Sequence, residues 1–405
     1  MTDTGQKRLL GVWLLGLGET VIWAYIFYIF AGLLLTWEET LGWQKADLTL
    51  GLTVAILTAA AVSPWAGRRI DEGLGRWVLG GGAFLGCLAL AGLSFVNDPW
   101  TFLAVWAVIG AAQGCCLYEP CFSVVTRAFG EKARPAITKI TLIAGLASTL
   151  CFLTTAWMLK QTDWRTGLLV FAVIAAVVAV PSLFYGTVLV EKDKPRNRPS
   201  NEVKALNTAA VQMAIRRPQF WMLAMAFPFM ALNHGILLNH IMPILTERQI
   251  TRETAILVAS TIGPMQVFGR VMLMLFEKRV QSLTMSGSAF LIVMIASVVL
   301  LTAGGEPELA FLFAVLQGGA YGLTSILKPA LTAEFLGRDN FGSIAGWLAL
   351  PYLAAFAFAP HLGALIWELG GYGVVISATA ALAALGVISI CALAMVGRAQ
   401  RRKSV

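Results

Sequence analysis

The sequence predicts an all-α integral membrane protein: twelve transmembrane helices in two six-helix halves, with both termini cytoplasmic. Three observations carry that reading. Of 405 residues, 58% are hydrophobic and only 13% charged, with mean hydropathy +0.75, whereas a soluble domain is about 45–50% apolar and about 25% charged. The apolar residues fall into twelve runs, each long enough to cross a hydrocarbon core about 30 Å thick. With the N-terminus inside, 23 of the 30 Lys and Arg fall in inner segments, 5 (Lys45, Lys160, Arg165, Arg248 and Arg252) in outer segments, and 2 (Arg270 and Lys328) within runs. That asymmetry is the positive-inside pattern. A soluble fold could not hide so much apolar surface, which excludes a soluble enzyme, a disordered regulator and a nucleic-acid-binding domain. The net charge of +8 is placed by topology and faces an anionic inner leaflet.

The first run, about 9–35, exceeds a signal-peptide core and is not followed by a small-residue cleavage site, so it is expected in the mature chain. Runs near 46–66, 77–96, 100–126, 136–159 and 166–190 complete an N-terminal half, residues 1–190. The longest polar stretch, with Pro195 and Pro199, makes 191–218 a cytoplasmic linker, within which Asn201–Ile215 reads as a short surface helix. Runs near 219–245, 254–276, 284–303, 308–333, 342–367 and 372–396 form the C-terminal half, 219–405, which ends in a basic tail. None shows the period-2 alternation of a β-barrel strand. Gln113-Gly114 and Phe129-Gly130 echo Gln317-Gly318 and Phe335 at an offset of 204–206, which points to duplicated halves.

All six cysteines (Cys87, Cys115, Cys116, Cys121, Cys151, Cys391) fall in runs, where they are expected to be small buried hydrophobes rather than disulfides. No His/Cys spacing resembles a zinc site and no glycine loop precedes Lys-Ser/Thr, so neither a metal, a cofactor nor ATP is expected. The alternative use of Cys115, Cys116, Cys121 and Cys151 is as soft contacts for an exported metalloid.

Between the second and third runs stands Gly67-Arg68-Arg69-Ile70-Asp71-Glu72-Gly73-Leu74-Gly75-Arg76. It resembles the motif that major facilitator superfamily transporters carry at this place, with Glu72 where a basic residue is common. Gly67 would let two helix ends approach, and Asp71 would cap a helix N-terminus and accept hydrogen bonds from arginine. With Arg76 and Lys328, these are the expected gating residues. Leu117-Tyr118-Glu119-Pro120, Thr126-Arg127-Ala128-Phe129-Gly130, Trp164-Arg165, Phe341-Gly342-Ser343-Ile344 and Gln266-Val267-Phe268-Gly269-Arg270 resemble bacterial monocarboxylate-transporter-like and oxalate-formate antiporter-like members. That resemblance implies a monomeric, multi-pass carrier of the bacterial inner membrane. It would move a small organic anion by alternating access, with a proton or a counter-anion as partner, and Arg270 would meet the substrate carboxylate. Gln266 stands where that group has an acid.

Ionisable groups inside a span cost at least about 2.5–3.5 kcal/mol, so each carries a functional hypothesis. They are Glu19, Glu119, His234, His240, Arg270, Lys328 and His361. Arg270 reads as a bidentate carboxylate clamp or as an ion-pair partner of Glu119. Lys328, next to Pro329, reads as a gate residue at a helix break. Glu19, Glu119 and His234 are the candidate proton sites, and His240 and His361 are expected to be satisfied near the interface. Tyr25, Tyr118, Asn233, Gln266 and Tyr321 can add neutral hydrogen bonds to a substrate, or bind helices together. Trp37, Trp43, Trp100, Trp157, Trp164 and Trp367 read as an interfacial belt. Two rival functions are drug or metalloid efflux and a non-transporting receptor. An enzyme is not expected, because no convergent nucleophile, metal or cofactor set is present.

Overall fold

The computed structural model describes residues 3–192, 201–276 and 280–403. Part of the expected linker, residues 193–200, and the basic residues Lys278 and Arg279 lie outside the described residues, as do residues 404–405 at the end of the basic tail. Among the described residues there is no strand. Apolar segments with no water to satisfy their amides must bond their own backbone, and helices do so.

Nine continuous helical stretches among the described residues are long and apolar enough to cross a membrane. Three of them, of 47, 63 and 57 residues, would be about 70 Å or longer at about 1.5 Å per residue, more than twice a hydrocarbon core. Each contains one glycine with positive φ, Gly73 (82°), Gly130 (56°) or Gly371 (76°), where the chain bends. Division at those glycines fits the twelve expected crossings.

The chain forms two compact units, Met1–Met213 with Gly337–Leu350, and Ala214–Leu336 with Pro351–Val405. The first holds α1 (Asp3–Ile22), α2 (Ile29–Leu41), α3 (Lys45–Arg69), α4 (Gly75–Leu93), α5 (Pro99–Cys116), α6 (Tyr118–Phe129), α7 (Ala133–Ala144), α8 (Ala147–Gln161) and α9 (Trp164–Val190), with most of α10 (Asn201–Ile215). The second holds α11 (Pro218–Glu247), α12 (Arg252–Phe276), α13 (Ser282–Thr302), α14 (Pro307–Tyr321) and α15 (Thr324–Leu336). Helix α16 (Phe341–Lys403) begins in the first unit and continues in the second. The surface helix at Asn201–Ile215 forms, burying Val211 and Ala214 while Leu206 and Met213 stay exposed.

Within the first unit, Trp37 and Trp164 correct the expected belt. Trp37 is 0% and Trp164 6% exposed. They pack edge-to-face at 6.2 Å, and Trp37 meets Phe102 at 5.4 Å and Phe30 at 5.9 Å. Quadrupolar ring edges favour this aromatic core over an interfacial position. Trp100, Trp157 and Trp367 remain exposed.

Candidate functional site

In the first unit, α1 runs into a π-helical segment, Trp23–Tyr28, and Gln113 Nε2 on α5 donates to the Ile26 carbonyl at 2.7 Å. One turn before that segment, Glu19 is completely buried. Its polar neighbours are the Cys121 thiol and the Trp23 indole, with Cys116 beside them. Tyr118 lies against Trp23 at 4.8 Å and stacks on Phe122 at 4.9 Å.

The break between α5 and α6 falls at Leu117, which has extended backbone (φ −84°, ψ −165°). Pro120 accounts for it: a proline has no N–H to give to residue i−4 and its ring strikes that carbonyl, here Cys116. Glu119, just past the break, lines a crevice with Ser63, Gly67, Pro120, Ser123, Gly342 and Gly346, large enough for one water molecule. Tyr25 does not join this group. It is 2% exposed and stacks on Phe171 at 4.6 Å, with its hydroxyl 3.4 Å from Thr154. It packs the core rather than offering a free hydroxyl.

At the start of α16, Gly342 N and Ser343 N donate to the two Asp71 oxygens at 2.9 and 2.6 Å. Asp71 thus caps a helix some 270 residues away in sequence, and satisfies amides that a helix start leaves without internal partners. The approach needs glycine: a Cβ on Gly67 would sit 1.8 Å from the Gly342 carbonyl oxygen. Burial raises the Asp71 carboxyl from its ordinary value to about 6, against the hydrogen bonds from Ser343 and Gly342 and the charge of Arg127, which lower it. The anomalous Glu72 is 1% exposed and pairs with Arg69 at 2.9 Å. Arg127 pairs with Glu191 at 2.6 Å, and Arg338 lies 3.6 Å from Glu131. Arg76 instead lies over the rings of Trp77 and Phe184, at 5.2 and 5.6 Å.

The second unit contains a polar chain. Asn233 Nδ2 donates to Ser297 Oγ at 2.9 Å and to the Thr379 carbonyl at 3.0 Å. Gln317 Nε2 reaches Asn233 Oδ1 at 2.9 Å and His234 Nδ1 at 3.4 Å. His234 stacks flat on Tyr321 at 3.5 Å, the Tyr321 and Tyr352 hydroxyls are 3.0 Å apart, and Lys328 Nζ lies 3.8 Å over the Tyr352 ring. Arg270 is 8% exposed and its Nε donates to the Gly322 carbonyl at 3.0 Å. The backbone of Gln266 lies where a Cβ on Gly322 would fall, 2.5 Å from its carbonyl oxygen.

The expected break at Pro329 is misplaced: Pro329 lies inside α15, and the interruption is at Gly322–Leu323. There Thr324 Oγ1 takes the Tyr321 carbonyl at 2.7 Å, and Arg270 takes that of Gly322. Side-chain donors that compete for backbone acceptors offer the chain an alternative to the helical ladder. His240 is held by the Pro360 carbonyl at 2.9 Å and Tyr372 at 3.3 Å, while His361 is exposed. Sequence reasoning missed Trp23, Ser297, Tyr352 and Thr379, and treated Gln317 only as a repeat marker. A polar residue inside an apolar run was the available signal for Gln317 and Ser297.

The two units repeat one device. Gln113 and Gln317 each reach from the fourth helix of a half to the first, and both fourth helices break just beyond them, at Leu117 and at Gly322–Leu323. The sequence model of the Major Facilitator Superfamily matches residues 9–305. The chain belongs to that superfamily. Superfamily membership makes it a multi-pass membrane transporter, not an enzyme, working by alternating access.

Solved structures share the superfamily fold across nearly the whole chain. FucP, an E. coli fucose:proton symporter, in its outward conformation, superposes with TM-score 0.77 at 14% identity, covering 96% of this chain and 99% of its own. The proton:xylose symporter XylE bound to 6-bromo-6-deoxy-D-glucose gives 0.73 at 10%, with 95% of each chain covered. The human organic anion transporter MFSD10 gives 0.68 at 14%, covering 96% of this chain and all of its own. Among curated protein sequences none matches.

Proposed function

We propose that this superfamily member is a secondary transporter of a small organic anion, a mono- or dicarboxylate, in the bacterial inner membrane, with Arg270 as the charge partner of the cargo. The observation that carries this reading is a pair of buried cations, Arg270 and Lys328, in the second unit, each 8% exposed. Charge placed inside a membrane span is costly enough to mark a functional position by default, and the planar guanidinium fork of Arg270 matches a carboxylate in a bidentate way. Through Nε, Arg270 spends one of its five donors on the Gly322 carbonyl, which aims the guanidinium from a fixed point. Tyr118, Gln266 and Tyr321 supply neutral hydrogen bonds, whereas Asn233 is committed within the bundle to Ser297, Thr379 and Gln317.

Driving force comes from a proton or from an exchanged anion. Glu19 is the foremost proton position, a completely buried carboxyl beside the Cys121 thiol and the Trp23 indole, and Glu119 is the second. The fold relatives carry sugars with protons in two cases and organic anions in the third, so fold alone does not choose the cargo. Asp71 and Gly67 serve as the latch on the start of α16, with Lys328 as a gate residue and the monomer as working unit.

The test is uptake of labelled carboxylates by reconstituted protein. Arg270→Ala removes a charge-assisted hydrogen bond worth about 1.5–3 kcal/mol, so KM should rise about tenfold to a hundredfold. Transport of carboxylates at unchanged affinity by that variant rejects the assignment.

A further inference from the structure

The polar chain of the second unit has a direction, set at one end by a group that cannot reverse. The Thr379 backbone carbonyl only accepts, so the Asn233 atom 3.0 Å from it is the amide nitrogen. Asn233 Oδ1 is then an acceptor facing Gln317, and the Gln317 atom 2.9 Å from it is Nε2. The same amino group, through its second N–H, points to His234 Nδ1 at 3.4 Å. An atom facing a donor needs a lone pair, so Nδ1 is unprotonated and the ring proton is on Nε2. The orientation is kept at a cost, since Gln317 Oε1 is left buried without a partner. Turning the amide over would relieve that oxygen only by setting it against Asn233 Oδ1.

We propose that this relay holds His234 as a neutral imidazole with its proton on Nε2, so that it serves as a fixed hydrogen-bond donor to an acceptor oxygen of the transported solute and not as the coupling proton's carrier. The relay deepens the transport reading above and rests on it for the identity of the acceptor. Tyr321 stacks on the ring, the Tyr352 hydroxyl follows at 3.0 Å from that of Tyr321, and the cations of the neighbouring helices are Arg270 on α12, at the Gly322 carbonyl, and Lys328 on α15, over the Tyr352 ring. The carboxylates of the helices packed against α11 are Glu253, Glu308, Glu334 and Glu368. Glu253 and Glu308 belong to the first turns of α12 and α14, Glu334 to the last turn of α15, and Glu368 borders the bend at Gly371. None is hydrogen-bonded to His234. With His234 committed as a donor, the proton falls to Glu19 or Glu119.

The experiment is nitrogen NMR of ring-labelled histidine in the full-length purified protein, with His234 assigned by loss of its signal in His234→Phe. The expected spectrum is a neutral ring protonated at Nε2 and unchanged from about pH 5 to 8, the range in which a free histidine charges. An imidazolium signal at pH 6, or a proton on Nδ1, overturns the proposal. Gln317→Glu, which replaces the donor with an acceptor, should shift the ring proton to Nδ1 or make the ring titrate, and Gln317→Met should give mixed tautomers. If neither variant folds, the wild-type spectrum decides. In transport, His234→Phe keeps the stack on Tyr321 but removes the N–H, so KM should rise about tenfold while proton-driven accumulation persists; lost coupling at unchanged KM contradicts the assignment. The spectrum does not depend on cargo identity, so failure of the carboxylate reading and failure of the relay are separable.

Discussion

Gly67→Ala should open the contact between the start of α16 and the segment around Asp71. The added Cβ would lie 1.8 Å from the Gly342 carbonyl oxygen and 2.4 Å from its carbon, where contacts under 3.0 Å are not tolerated, and both atoms are backbone. The two segments must separate by at least about 1.2 Å. The Asp71 hydrogen bonds, 2.9 and 2.6 Å long, would stretch to roughly 4 Å, outside bonding range. Hydrogen bonds to a charged group contribute about 1.5–3 kcal/mol each, so the closed arrangement loses about 3–6 kcal/mol. That is a population shift of about a hundredfold or more. Spin labels at positions 131 and 338 report on it, since Glu131 and Arg338 approach to 3.6 Å and both are exposed. Electron–electron resonance should give one short distance in the parent and a long, broad distribution in Gly67→Ala. An unchanged short distance in a folded, monodisperse variant refutes the reasoning.

Further outcomes follow from the same geometry. Burial raises the Asp71 carboxyl from 3.8 to about 6, so its protonated form favours the closed contact, and the stabilisation is present at low pH and lost as pH rises through about 6. Between pH 7 and 5 the label distance should shift toward closed by about tenfold in population, and Asp71→Asn should abolish that pH dependence; a contact that weakens on acidification sinks the assignment. Glu19→Gln keeps the shape and hydrogen-bonding capacity of a completely buried side chain while removing its charge, so thermal stability should be unchanged or raised, while proton-driven accumulation disappears and exchange continues. Unaltered coupling removes Glu19 as the proton site. Serine at Cys115, Cys116, Cys121 and Cys151 together should not change carboxylate uptake or metalloid tolerance, and lost tolerance would favour the efflux function instead.

The apolar runs and the bias of Lys and Arg were enough to fix the membrane class, because hydrocarbon imposes one requirement on every backbone amide and the requirement is local. Glu19, His234, Arg270 and Lys328 were legible as candidates for the same reason, each being a costly group in an apolar run. Asp71 and Gly67 could be read from the motif, and Gly342-Ser343 only as a resemblance, since nothing local says that an aspartate caps a helix some 270 residues later. Tertiary packing alone decided that Tyr25 and Trp37 belong to a core, that the tenth span breaks at Gly322 and not at Pro329, and that Gln317 faces His234. Periodicity states how much of a helix is apolar, whereas the partner of a polar atom is set by which helices approach and at what rotation. For this protein the solvent was written in the composition, and the direction of its hydrogen bonds only in the fold.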